Sequence, residues 1–156
     1  MYEYFLEQGA DGPYFYFYTE NNLTYYVAFR NMSQDSHPLN NLYSLDFGEI
    51  DEHKGKNDSK ISSTILQIIT DFLNEDLSYV IHFLCDSADS RQLNRKRLFN
   101  RWFSICDMNS WIKYDYDFDN VDYNVSFLYN TDFYETEIIE SEILLTLDVY
   151  ERAKDS

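Results

Sequence analysis

Apolar and polar positions alternate with period two through the first third of the chain. Tyr2 to Leu6, Pro13 to Thr19, Leu23 to Arg30 and Asn41 to Phe47 are rich in aromatic and β-branched residues, and they predict four strands. Glu20-Asn21-Asn22 supplies a turn, because asparagine tolerates a left-handed backbone, and the strands therefore predict an antiparallel meander. Asn31 to Asn40 reads as a polar loop carrying His37-Pro38, and the charged stretch Ile50 to Ser59, with Gly55, as a mobile one. The period then lengthens. Ile61, Ile65, Ile68, Ile69, Phe72 and Leu73 recur at helical spacing, with Asp58 and Ser59 placed to cap the start.

Tyr79 to Cys85 is apolar with little alternation, as a central strand covered on both faces would be. The run from Arg91 to Phe103 follows as an amphipathic helix. Trp111 to Phe118 and Val121 to Tyr129 alternate again around Asp119-Asn120, which predicts a hairpin. Its first strand sets Ile112, Tyr114, Tyr116 and Phe118 on one face and Lys113, Asp115 and Asp117 on the other. Thr131 is positioned to cap a closing helix to Arg152, built on Ile138, Ile139, Ile143, Leu147 and Tyr150. The predicted class is α+β: a mainly antiparallel sheet of N-terminal meander, central strand and C-terminal hairpin, with about three packed helices. No repeat or linker divides residues 1–156, so one domain is expected.

Charge sharpens this picture. The 156 residues carry 12 Lys and Arg against 28 Asp and Glu, a net charge of −16. Five of the basic residues lie between Arg91 and Arg101, and no acid occurs from Ser90 to Cys106. One cationic helix thus sits in a strongly anionic body. Such a balance excludes non-specific DNA binding and attachment to anionic membranes; it fits plain solubility first, and otherwise a basic protein partner or imitation of nucleic acid. An aromatic content of 19%, with 15 Tyr, suits a sheet with half-buried faces or an aromatic binding surface. No apolar window is long enough to span a membrane, and Met1 to Phe5 lacks the features of a signal peptide. Cys85 and Cys106 show no metal-type spacing, which fits reduced thiols in the cytoplasm.

Candidate chemistry is sparse. At ~100° per residue, Arg91 and Arg95 project from the helix side that also carries Leu98, Phe99, Trp102 and Cys106, while Arg97 and Arg101 lie elsewhere. Arg91 and Arg95 are therefore expected to form structural ion pairs, with Asp86 and Asp89 the nearest candidates and Asp115 and Asp117 further ones. An alternative reading has Arg91, Arg95, Arg97 and Arg101 holding an anion or nucleotide at the end of the central strand. The loop Asp86 to Ser90 has no glycine and two aspartates, so it reads as a helix cap rather than a phosphate loop. His82 reads as a core residue. It cannot pair with Cys85 on one strand face, because a three-residue offset turns the two apart. Asp51, Glu52 and His53 read as a solvated loop, and Asp115 with Asp117 as an acidic strand face, a metal there being the lesser reading. No catalytic residue, metal or cofactor is assigned.

The block Cys85-Asp86-Ser87-Ala88-Asp89-Ser90-Arg91-Gln92-Leu93-Asn94-Arg95-Lys96-Arg97-Leu98-Phe99-Asn100-Arg101-Trp102-Phe103 resembles the signature segment of a family of small uncharacterised bacterial proteins common in Bacteroidetes. Tyr2 to Leu6 and Leu23 to Arg30 are similar to that family's first strands. The resemblance implies a single-domain cytoplasmic protein and brings no activity, cofactor or site residue. The residues themselves favour a non-enzymatic interaction module of the antitoxin, immunity or anti-defence inhibitor type.

Overall fold

The computed structural model describes residues 1–32, 39–50, 59–86, 97, 100, 101, 104, 110–117 and 123–154. Seven strands form one mixed sheet: β1 (Tyr4–Gly9), β2 (Gly12–Tyr18), β3 (Thr24–Asn31), β4 (Leu42–Glu49), β5 (Val80–Asp86), β6 (Trp111–Asp117) and β7 (Tyr123–Asn130). Their order across the sheet is β1-β2-β3-β4-β5-β7-β6. Two helices, α1 (Ser59–Glu75) and α2 (Thr136–Lys154), are described in full. No described helix is long and apolar enough to cross a membrane.

The meander forms as the alternation predicts. Asn22 adopts φ 60° in the turn, closed by the Thr19 amide donating to the Leu23 carbonyl at 2.9 Å. β1 runs three residues beyond the expected Leu6, because Gly9 and Gly12 pair across a tight turn. Gly12 is required there. Its φ is +144°, and a Cβ would lie 2.2 Å from the Phe29 carbonyl oxygen.

The departure from an antiparallel sheet is its middle. α1 carries the chain from β4 to β5, and such a crossover returns the strand parallel to the one it left. The parallel ladder is short: Leu42, Tyr43 and Ser44 pair with Val80, Ile81 and His82, and no rung follows although both strands continue.

The two helices pack on opposite faces and over different halves of the sheet. Ile65, Ile68, Ile69, Phe72 and Leu73 of α1 meet Phe15, Phe17, Val27, Phe29, Leu45, Phe47, Ile81 and Phe83 on one face. Phe72 is the hub: it stacks on Phe29 at 3.8 Å and on Tyr79 at 4.7 Å, with Tyr43 edge-on at 5.2 Å. Truncating such a ring costs on the order of 3–5 kcal/mol. Tyr4 also donates a hydrogen bond to Asp71, and Lys60 pairs with Glu20 at 2.6 Å, fastening α1 to the meander.

On the other face Ile139, Ile143 and Leu147 of α2 meet Leu42, Val80, Val125, Phe127 and Tyr129. Thr131 does not cap this helix, which begins at Thr136. Its amide and hydroxyl both donate to the Ser110 carbonyl, so it latches onto the segment before β6, and α2 instead opens with the Ile139 amide donating to Glu135. Ile138 faces outward, although its spacing had placed it with the core residues.

Replacing Gly12 by alanine is expected to destabilise the fold by about 2 kcal/mol or more, since strain and a backbone clash coincide. Urea denaturation measures it. Gly9→Ala is the control with a smaller loss, its Cβ meeting the Gly12 carbonyl oxygen at 3.2 Å.

Candidate functional site

Because α2 covers β5 and β7, the same face of β1 to β4 is left without a described helix over most of its width. Register shows what stands there. Phe5, Tyr16, Tyr26 and Gly48 form one row across the four strands, and Glu7, Tyr14, Ala28 and Asp46 form the next. A third row joins Arg30, Ser44 and His82. Cross-strand neighbours lie within contact reach, so the rings pack along as well as across the strands. Tyr14 stacks on Tyr26 at 6.1 Å and Phe5 on Tyr16 at 5.5 Å, while Tyr18 meets Tyr16 edge-on at 5.9 Å. Phe5 is 41% exposed and Tyr18 56%.

Carboxylates are set among these rings. Asp46 accepts a hydrogen bond from the Tyr26 hydroxyl at 2.9 Å. Tyr14 and Tyr16 both have pKa values raised above the ordinary phenol value, through desolvation first and the Glu7 carboxylate second. The phenols are held neutral beside these carboxylates.

A groove of about 520 Å³ crosses this face from the Gly9–Pro13 turn, past Tyr14, Ala28, Arg30 and Asp46, to Ser44 and Phe83. Ala28 makes the hollow. Its four neighbours on the face are larger: Tyr14 and Asp46 across the strands, Tyr26 and Arg30 along β3. The groove reaches Phe83, whose side chain belongs to the α1 core, just beyond the last rung of the parallel ladder.

The residues singled out from the sequence lie elsewhere. Arg97, Asn100, Arg101 and Ser104 are helical and exposed, and their spacing puts them on one helix face. Asn100 accepts a hydrogen bond from Lys113 of β6 at 2.5 Å, which sets this segment beside the far edge of the sheet. Arg91, Arg95 and Asp89 lie outside the described residues, as do Asp51, Glu52, His53, His37 and Cys106. Asp86 ends β5. His82 is buried, with its ring 5.9 Å from Phe127, and Cys85 lies on the same strand. Asp115 accepts from Ser126 at 2.5 Å and from Lys113 at 3.2 Å, and among the described residues no three metal-ligating side chains cluster. The aromatic content is compatible with an aromatic surface but does not locate it. The signal is parity: Phe5, Glu7, Tyr14, Tyr16, Tyr26 and Ala28 share a face only once the register between strands is known.

Replacing Glu7 by glutamine is expected to lower the titration midpoints of Tyr14 and Tyr16 towards the ordinary phenol value. Their Cζ shifts followed by NMR from neutral to alkaline pH measure this, with Tyr129, on the far half of the sheet, as internal control.

No protein of curated function matches the chain. A solved structure of a protein proposed to be a phosphinothricin N-acetyltransferase overlaps 78% of this chain and 68% of its own, at 17% identity and a TM-score of 0.43. An overlap this loose shows neither shared chemistry nor a shared substrate. Residues 57–141, a little over half of the chain, match a family of unknown function (DUF6169), spanning α1, β5, the basic segment, β6, β7 and the start of α2, and the chain belongs to that family.

Proposed function

We propose that the protein is a non-enzymatic interaction module that takes a cationic segment of another protein on the open face of β1 to β4. The carrying observation is the pair of cross-strand rows, tyrosines and carboxylates together, on a face that no described helix covers. Tyrosine suits such a surface because it offers a large, stiff, amphipathic ring at a small loss of rotamer freedom. The net charge of −16 attracts a basic partner at long range, and the carboxylates of Glu7 and Asp46 lie where it would land. The reading needs no bond-making group.

NMR titration with a peptide of alternating arginine and serine is expected to shift the Tyr14, Tyr16, Tyr18 and Tyr26 signals. The double variant Tyr16→Ser, Glu7→Lys is expected to weaken binding by about tenfold or more. Shifts confined to other parts of the molecule, or an affinity untouched by the double variant, would sink the reading.

A second reading, an anion or nucleotide site on the basic helix, has one observation of its own. Arg97 and Arg101 share an exposed helix face, where guanidinium forks are open to phosphate oxygens. It predicts thermal stabilisation by nucleotides that disappears in Arg97→Ala, Arg101→Ala; a flat response across a nucleotide panel retires it.

A further inference from the structure

We infer that the cationic segment of the partner enters as an added strand, antiparallel to β1 along its outer edge. This rests on the open face of β1 to β4 being the docking surface and adds how the segment is held there.

Pro13 fixes which backbone groups of β1 face outward. It stands opposite Gln8 and has no N–H to give, so those two residues exchange no hydrogen bonds. Bonded and non-bonded pairs alternate along an antiparallel ladder. Glu7 with Tyr14 and Phe5 with Tyr16 are therefore the pairs that bond β1 to β2. Tyr4, Leu6 and Gln8 turn their N–H and C=O groups the other way, and β1 is the end strand of the sheet. Each of them offers a donor and an acceptor at strand spacing, the complement of an extended chain.

The two ends of the sheet differ. β6, at the far end, carries Lys113, Asp115 and Asp117, and charge at alternate positions keeps a stray strand off. Glu7 is the only charged residue of β1, which has no proline, and its apolar Phe5 and Leu6 are 41% and 51% exposed.

The side chains along this edge select the guest. Phe5 and Glu7 stand on the open face with Tyr16 and Tyr14, while Leu6 stands with Phe15 on the α1 side. A strand laid beside β1 sets alternate side chains next to Phe5 and Glu7, and those between next to Leu6. Cations suit the first set, against a carboxylate and an exposed ring. A β-branched apolar residue suits the second. The segment is thus extended, with cationic and apolar residues in alternation. A second copy of this chain is a poor guest, because it would bring another net charge of −16 to an edge whose one charge is an acid.

The test uses the full chain and a peptide of alternating arginine and valine, alongside versions N-methylated on the valines or on the arginines. With valine opposite Leu6, the valine N–H groups face β1 and the arginine N–H groups face water. N-methylvaline is expected to weaken binding, read by calorimetry, by about tenfold or more, while N-methylarginine leaves it near the parent. Any other order of the three peptides overturns the added strand. Hydrogen exchange of the Tyr4, Leu6 and Gln8 amides is expected to slow with the parent peptide, and unchanged exchange there also overturns it. Leu6→Pro deletes an outward N–H and no bond to β2, and it is expected to weaken binding by about tenfold or more. Full binding by that variant counts against the strand; should it fail to fold, the methylated peptides decide. If the Tyr14 and Tyr16 signals shift equally with all three peptides, the open face stands and the strand falls. Loss of all shifts on the face, with every peptide, takes both readings down together. Slowing of the same amides as protein concentration rises, with no peptide present, gives the edge to a second copy and overturns the partner named here.

Discussion

The width of a seven-stranded sheet set against the width of a helix is the constraint from which the rest follows. Strands spaced ~4.8 Å apart make a sheet about 29 Å across, while a helix with its side chains is only ~10–12 Å wide. One helix on a face leaves much of that face bare. Here α1 and α2 are placed on opposite faces and displaced sideways, α1 over the meander and the parallel joint and α2 over β5 and β7. Each half of the sheet is thereby buried on at least one side, which is what a stable sheet needs. No described helix covers the remaining face of the meander, where strand geometry is held by half-exposed side chains.

Tyrosine reconciles those two demands. A strand needs bulky side chains that pack against cross-strand neighbours, and a wet face needs polar ends. Tyr14, Tyr16 and Tyr26 meet both, packing ring on ring while carrying hydroxyls towards water or, for Tyr26, towards Asp46. Opposite them on the same strands stand Phe15, Phe17 and Val27, which have no polar end and need none against α1. The division of tyrosine from phenylalanine along β2, Tyr14-Phe15-Tyr16-Phe17-Tyr18, is thus a division of wet face from dry face, written at period two.

The strands, α1 and the hairpin were legible in the sequence, because each is a local pattern of periodicity. What was not legible depends on pairing between distant segments. Nothing in Leu42 to Ser44 or Val80 to His82 announces that they lie parallel, nor that their ladder ends after three rungs. Thr131 looks like a helix cap in one dimension and serves instead as a link to Ser110, 21 residues away. The contrast between one basic helix and an acidic body was plain from the sequence, and helical spacing already set Arg97 and Arg101 off its apolar side. In the structure Arg97 and Arg101 are exposed, and the aromatic face lies on another part of the sheet. The row Glu7, Tyr14, Ala28, Asp46 draws on four strands, and no window along the chain contains it.

Ala28 opens a hollow in a face otherwise built of larger side chains. Alanine is a poor strand former, and a valine or threonine there would fit the pleated, half-wet surface better by up to about 1 kcal/mol. Solubility does not ask for it either, since the neighbouring tyrosines and acids already keep the face wet. The backbone crowding that dictates Gly12 does not extend to it: Gly12 is pressed against the Phe29 carbonyl, whereas Ala28 looks into the groove. Ala28 thus serves neither strand packing nor solvation, and it leaves a hollow bordered by Tyr14, Arg30 and Asp46.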